Sequence, residues 1–144
     1  MNIRLKRFAQ SRALDAAAAP AQAGPMTRLT IRIDFSEDAA FGPGKALLLE
    51  LLDGTGSIRG AAARMDMSYR RAWLLLRDIE TVMGAKVAEA ATGGAKGGGT
   101  RLNRLGRQVL AHYRAVEARA AKAAAKELRA LARMRVPGRG RRSN

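Results

Sequence analysis

Between Lys45 and Met83 apolar residues recur at helical spacing, yet the stretch is cut twice by residues that end one helix and begin another. The run "KALLLELLD" sets Leu47, Leu48, Leu51 and Leu52 on one face, and Gly54 and Gly56 stop it. Ser57 then caps "SIRGAAARM", because a short hydroxyl side chain accepts a bond from a first-turn N–H that has no partner within the helix. Ile58, Ala61, Ala62 and Met65 form its apolar side, with alanines small enough for another helix to come close. After Asp66 and Met67, Ser68 caps "YRRAWLLLRDIETVM". Ala72, Leu76, Ile79 and Met83 make the inner stripe, with Trp73 beside it in the core. Arg70, Arg71, Leu74, Arg77, Asp78 and Thr81 take the opposite face. Two short helices joined by so tight a turn predict a helix-turn-helix.

The flanks extend this. "RLTIRIDF" alternates, with Leu29, Ile31, Ile33 and Phe35 on one side and Arg28, Thr30, Arg32 and Asp34 on the other, which predicts a half-buried strand. Gly84 ends the third helix, and "KVAEA" and "TRL" read as short strands on either side of "ATGGAKGGGT". That loop is no phosphate cradle of the P-loop type, since no register gives Gly-Lys-Ser/Thr and no helix follows it. "GTGSIRG" likewise misses the dinucleotide fingerprint in both spacing and preceding strand. A plain linker accounts less well for the flanking strands than a hairpin tip, or wing, does. From Asn103 to Met134 an Ala-, Arg- and Leu-rich helix of about 30 residues would be about 45 Å long. Such a rod outreaches one small domain, so its stripe of Leu110, Tyr113, Val116, Ala120, Ala124, Leu128 and Leu131 is expected to meet a second copy. The alternative is a solvated helix held by alanine propensity.

The expected fold is therefore mostly α with a small β wing: a winged helix-turn-helix plus a long C-terminal dimerisation helix. Residues 1–25 form a mobile Ala-rich basic arm, 26–102 the DNA-binding domain, 103–134 the dimerisation helix, and 135–144 a basic disordered tail.

Charge narrows the partners. The 144 residues carry a formal charge of +15, which favours nucleic acid or an anionic surface. No cysteine is present and His112 is the single histidine, which excludes disulfides, thiol catalysis and His- or Cys-based metal sites. No apolar run is long enough to span a membrane. A cytoplasmic, nucleoid-associated protein with no catalytic constellation, metal or cofactor is expected.

Ser68, Tyr69, Arg70 and Arg71 open the third helix, where a recognition helix faces base edges; arginine can bond guanine O6 and N7 together. Tyr69 suits stacking or a phosphate. Ser57 and Arg59 stand at a helix N-terminus, which favours phosphate, and Arg77 is a further phosphate candidate beside Asp78. In the wing, Thr92, Gly93 and Gly94 let the backbone approach phosphate and Lys96 adds charge. Arg28 and Arg32 are expected only to solvate the strand's outer face, and His112 to have no role.

"GSIRGAAARMDMSYRRAW" resembles the helix-turn-helix of LysR-type regulators. Together with "RLTIRIDF", "ATGGAKGGG" and "LNRLG", it is similar to the N-terminal domain of the molybdate-responsive ModE regulator family over about residues 28–130. The resemblance implies a dimeric winged-helix transcription regulator. Ser68, Tyr69 and Arg70 match the start of the family's recognition helix. Thr92, Gly93, Gly94 and Lys96 match its wing, and the long helix matches its dimerisation helix. Ala95 and Ala90 depart from the family pattern, which runs Gly-Gly-Lys directly and has arginine at the wing base. The family's molybdate-sensing domain would follow the long helix, where this sequence has a short basic tail, so no molybdate binding is expected. The functional expectation is a homodimeric, sequence-specific regulator on an inverted-repeat operator in double-stranded DNA. The alternative is a basic protein that organises DNA non-specifically or binds a protein partner.

Overall fold

In a computed structural model of the chain, residues 27–92 and 98–135 are described. The order is β1 (Ile33–Asp34), β2 (Ala40–Phe41), α1 (Pro43–Thr55), α2 (Ile58–Arg64), α3 (Tyr69–Met83), β3 (Ala88–Ala91), β4 (Gly99–Leu102), α4 (Arg104–Ala123) and α5 (Ala125–Met134). β1 pairs antiparallel with β2, and β3 with β4, in two separate two-stranded sheets.

The punctuation read from the sequence holds at Gly56, Ser57 and Ser68. Gly56 ends α1 in the left-handed conformation (φ 69°), and its N–H donates to the Leu52 carbonyl. Ser57 caps α2 by accepting from Gly60 N–H at 2.9 Å, and Ser68 caps α3 by accepting from Arg71 N–H at 3.2 Å. Gly54 does not stop α1; it lies inside the helix.

The core is built where α1, α2, α3 and the β3–β4 hairpin meet. Phe41, Leu48, Leu49, Leu52, Ile79, Val87 and Leu102 are fully buried, and Ala46, Ala61 and Ala72 let the helices close on one another. Each large side chain contributes about 1.5–3 kcal/mol by leaving water. Leu47 and Leu51, expected on the inner face of α1, are half-buried, while Ala46 and Leu49 lie deeper.

Two glycines allow backbone contact. A Cβ on Gly106 would stand 2.1 Å from the Val87 carbonyl oxygen, and one on Gly99 would stand 2.4 Å from that of Gly56. Thr100 N–H donates to the same Gly56 oxygen at 2.8 Å, so the hairpin is tied to the α1–α2 turn. Asn103 bridges the other end: its side-chain amide donates to the Lys86 carbonyl at 2.7 Å, and its Oδ1 caps α4 by accepting from Gly106 N–H at 2.9 Å.

Several expectations are corrected. The architecture is five helices and two small sheets among the described residues, and it is not clearly the winged helix-turn-helix plus rod that the sequence suggested. The strand expected over 28–35 shrinks to Ile33–Asp34, because its partner β2 is only two residues long. The Ile31 carbonyl is taken instead by the Tyr113 hydroxyl, at 2.7 Å. Leu29, Ile31 and Ile33 do turn inward relative to their neighbours, but Phe35 lies past the paired segment and is exposed. The rod is interrupted at Ala124, which joins α4 to α5.

The stripe expected to meet a second copy divides as well. Tyr113 is 3% exposed and meets Phe41 edge-on, ring centroids 5.1 Å apart, so it belongs to the chain's own core. Leu110 packs beside it. Ala120, Ala124 and Leu128 are half-buried, and Val116 and Leu131 are exposed. Arg114 bonds Glu117 and Glu50, fastening α4 to α1. Burial opposes its charge, but the hydrogen bonds and charges of Glu117 and Glu50 outweigh this and hold its pKa above the ordinary value.

Candidate nucleic-acid interface

The direction of α3 is set by the turn before it. Asp66 adopts a left-handed conformation (φ 51°), while Met67 N–H reaches back to the Ala62 carbonyl at 3.1 Å. Met65, 4% exposed, anchors the turn from below. Across the chain, Lys45 from α1 pairs with Asp78 at 2.8 Å. This holds α3 with Ala72, Leu76 and Ile79 buried and leaves a broad outer face.

That face carries two ridges at i, i+4 spacing. Tyr69, Trp73 and Arg77 form one; Arg70, Leu74 and Asp78 form the other. Tyr69 is 51%, Trp73 43% and Leu74 50% exposed. The placing of Trp73 corrects the sequence expectation of a core residue. Ala72, Leu76 and Ile79 make the buried stripe of α3, and the indole lies at its flank. Arg77 stands over it, its guanidinium carbon 5.8 Å from the ring centroid, and bonds Glu80 at 3.1 Å.

The four residues expected to read bases, Ser68, Tyr69, Arg70 and Arg71, lie together and exposed at the start of α3. The Ser68 hydroxyl already accepts the capping bond, and what it retains is its capacity to donate. Of the expected phosphate contacts, Arg59 is exposed on α2 and Ser57 is half-buried as its cap. Thr92 is exposed at the end of the hairpin, while Gly93, Gly94 and Lys96 lie outside the described residues. Arg77 is committed to Glu80 and Trp73. Sequence reasoning missed Trp73; its i+4 spacing from Tyr69 and to Arg77 was the available signal.

At the C-terminal end of α3 a shallow depression of about 320 Å³ is lined by Arg77, Glu80, Thr81, Gly84, Ala85 and Lys86. Glu80 there accepts from Val87 N–H at 3.4 Å as well as from Arg77. Among the described residues no cluster of His, Asp or Glu is arranged to hold a metal, and no helix is long and apolar enough to cross a membrane.

No protein-family model matches the chain. It is 38% identical over 84 residues to the molybdenum-pterin-binding protein MopB of Rhodobacter capsulatus, covering 58% of this chain and 31% of that protein. It is 33% identical over 93 residues to the molybdenum transport protein ModE of Azotobacter vinelandii, covering 63% and 34%. It is 37% identical over 71 residues to the transcriptional regulator ModE of Yersinia pestis, covering 49% and 27%. The chain thus spans about a third of the length of these relatives.

The likeness is to proteins named for molybdenum binding, molybdenum transport and transcription regulation. It corrects the narrower resemblance, which was to a DNA-binding domain set apart from molybdate binding. Relatives named for binding molybdenum-pterin match the same chain, so the expectation of no molybdate binding is withdrawn.

Proposed function

We propose that this chain binds duplex DNA and regulates transcription in connection with molybdenum. The observation that carries the reading is the outer face of α3, where Tyr69, Arg70, Arg71 and Trp73 are all exposed on a rigid, capped helix. Arginines at a helix start suit bidentate bonds to guanine, and exposed aromatics suit base or sugar contact. Arg59 on the neighbouring helix suits phosphate, and a formal charge of +15 suits a polyanion. The names of the ModE relatives support regulation as the purpose. Exposed Val116, Leu131 and Met134 support pairing of two copies on an inverted repeat.

Selection of bound duplexes from genomic fragments, followed by footprinting at low salt, tests this. A protected inverted repeat is the expected result. Equal affinity for random and selected duplexes refutes the specific regulator and favours a DNA-organising protein.

The relatives' names support a second property, binding of a molybdenum oxyanion. Calorimetric titration of molybdate against the chain, with sulfate as control, tests it. Heats indistinguishable from those of sulfate would refute it for this chain.

A further inference from the structure

We infer that Trp73 is a specificity-determining contact, presenting its indole edge to a thymine methyl group in the major groove, with Arg77 as the positioning residue that holds the ring. The inference rests on the reading that the outer face of α3 meets duplex DNA.

Three observations carry it. The indole is 43% exposed although it sits on a helix capped at both ends and anchored by buried Ala72, Leu76 and Ile79. An indole left 43% exposed keeps part of its large apolar area in water. It is not loose: Arg77 lies over it at 5.8 Å, and Arg77 is itself fixed by Glu80 at 3.1 Å. A ring held in place while still exposed is arranged for contact with something outside the chain.

Its position says what that partner is. Trp73 follows Tyr69 by one helical turn, about 6 Å along the axis. A groove about 12 Å wide that admits the start of α3 brings Trp73 to the next base edges. Arg70, three residues earlier on the same outer face, adds positive charge beside it, which favours a polyanion over an apolar protein surface. Within the groove, the thymine C5-methyl is the apolar group a base offers. Arg77, spent on Glu80 and Trp73, thereby acts through the indole rather than on a phosphate.

The chain has one tryptophan, so its emission reports this residue alone. The test uses the full chain and a duplex recovered by selection from random sequences. Each thymine is replaced in turn by deoxyuridine, which removes only the methyl group. Wild type should lose about fourfold in affinity at one position per half-site, the factor for one buried methyl. Trp73→Ala should bind more weakly and be indifferent to that replacement. Trp73→Phe should keep part of the preference, and Arg77→Gln should weaken it while leaving the salt slope unchanged. Saturating DNA should quench the Trp73 emission.

If Trp73→Ala discriminates thymine from deoxyuridine as wild type does, the inference is overturned while DNA binding stands. Unchanged Trp73 emission in a saturated complex also overturns it, and leaves the face open to a protein partner. If wild type binds no duplex at low salt, the functional reading fails and takes this inference with it. Melting curves of the variants, expected within a few degrees of wild type, keep folding out of the comparison.

Discussion

Tyr113→Phe separates the chain's own core from a seam between copies. The hydroxyl donates to the Ile31 carbonyl at 2.7 Å across 82 residues of sequence, while the ring meets Phe41 edge-on. Phenylalanine keeps the ring and removes only the donor. Net, such a bond contributes about 0.5–1.5 kcal/mol. Ile31 is half-buried, so water can partly satisfy the abandoned carbonyl, which sets the expected loss near 1 kcal/mol. For a domain of this size that lowers the melting temperature by about 4–6 °C. Tyr113→Ala removes the 3%-exposed ring as well and should cost about 3–5 kcal/mol, a large part of a typical domain's stability. Urea unfolding followed by circular dichroism gives the shift in midpoint, and an unchanged slope confirms that only stability moved. The measurement is made at two protein concentrations a hundredfold apart. A loss within one chain is the same at both; a loss at an interface grows on dilution. No shift for Tyr113→Phe, or a shift that depends on concentration, would refute the placement of Tyr113 in the intrachain core.

Other perturbations divide fold from function. Gly106→Ala drives a Cβ to 2.1 Å from the Val87 carbonyl, so the backbone must move; a loss of about 3 kcal/mol or more is expected in the same urea assay. Gly54→Ala, inside α1 with nothing within 4 Å of its Cβ, should instead stabilise by about 0.5–1 kcal/mol. Ser68→Asp keeps an N-cap acceptor and should leave the melting temperature within a few degrees, yet weaken DNA binding by setting a negative charge on the proposed DNA-facing end of α3. Equal DNA affinity in a gel-shift titration would detach Ser68 from the interface. Arg70→Ala should relax base preference in a repeated selection, whereas Arg59→Ala should weaken all duplexes alike and lower the salt slope by about 1.

The elements that the sequence foretold well are those fixed by local chemistry. Ser57 and Ser68 cap the helices they precede, Gly56 and Gly84 end helices with a positive φ, and the strands flanking the glycine-rich loop pair in register from Ala88 with Leu102 to Ala91 with Gly99. Each depends on a few adjacent atoms. The expectations that failed depend on contacts far along the chain. Alternation over 28–35 identified Leu29, Ile31 and Ile33 as the side chains that turn inward but failed at Phe35, past the pairing with β2, which offers two residues. A 3.6-residue period along 103–134 identified the apolar stripe, but whether that stripe meets the same chain or another depends on how far α1 and β2 extend beneath it. They reach as far as Tyr113 and Arg114; farther along, Val116 and Leu131 are exposed while Ala120, Ala124 and Leu128 are half-buried.

The same distinction explains Trp73. Its residue type argues for burial, while its angle on α3, one turn after Tyr69 and one before Arg77, places it at the edge of the buried sector. Type prevailed in reading the sequence because most tryptophans find cover. In the folded chain the buried stripe of α3 is filled by Ala72, Leu76 and Ile79, with Ala61 and Ala62 buried on α2, and Trp73 stays 43% exposed at the edge of that stripe. Close packing of the alanines therefore does two things at once. It seats α3 on its neighbours, and it leaves the largest aromatic of the helix part-exposed at the edge of the buried stripe, where the proposed DNA contact would cover it.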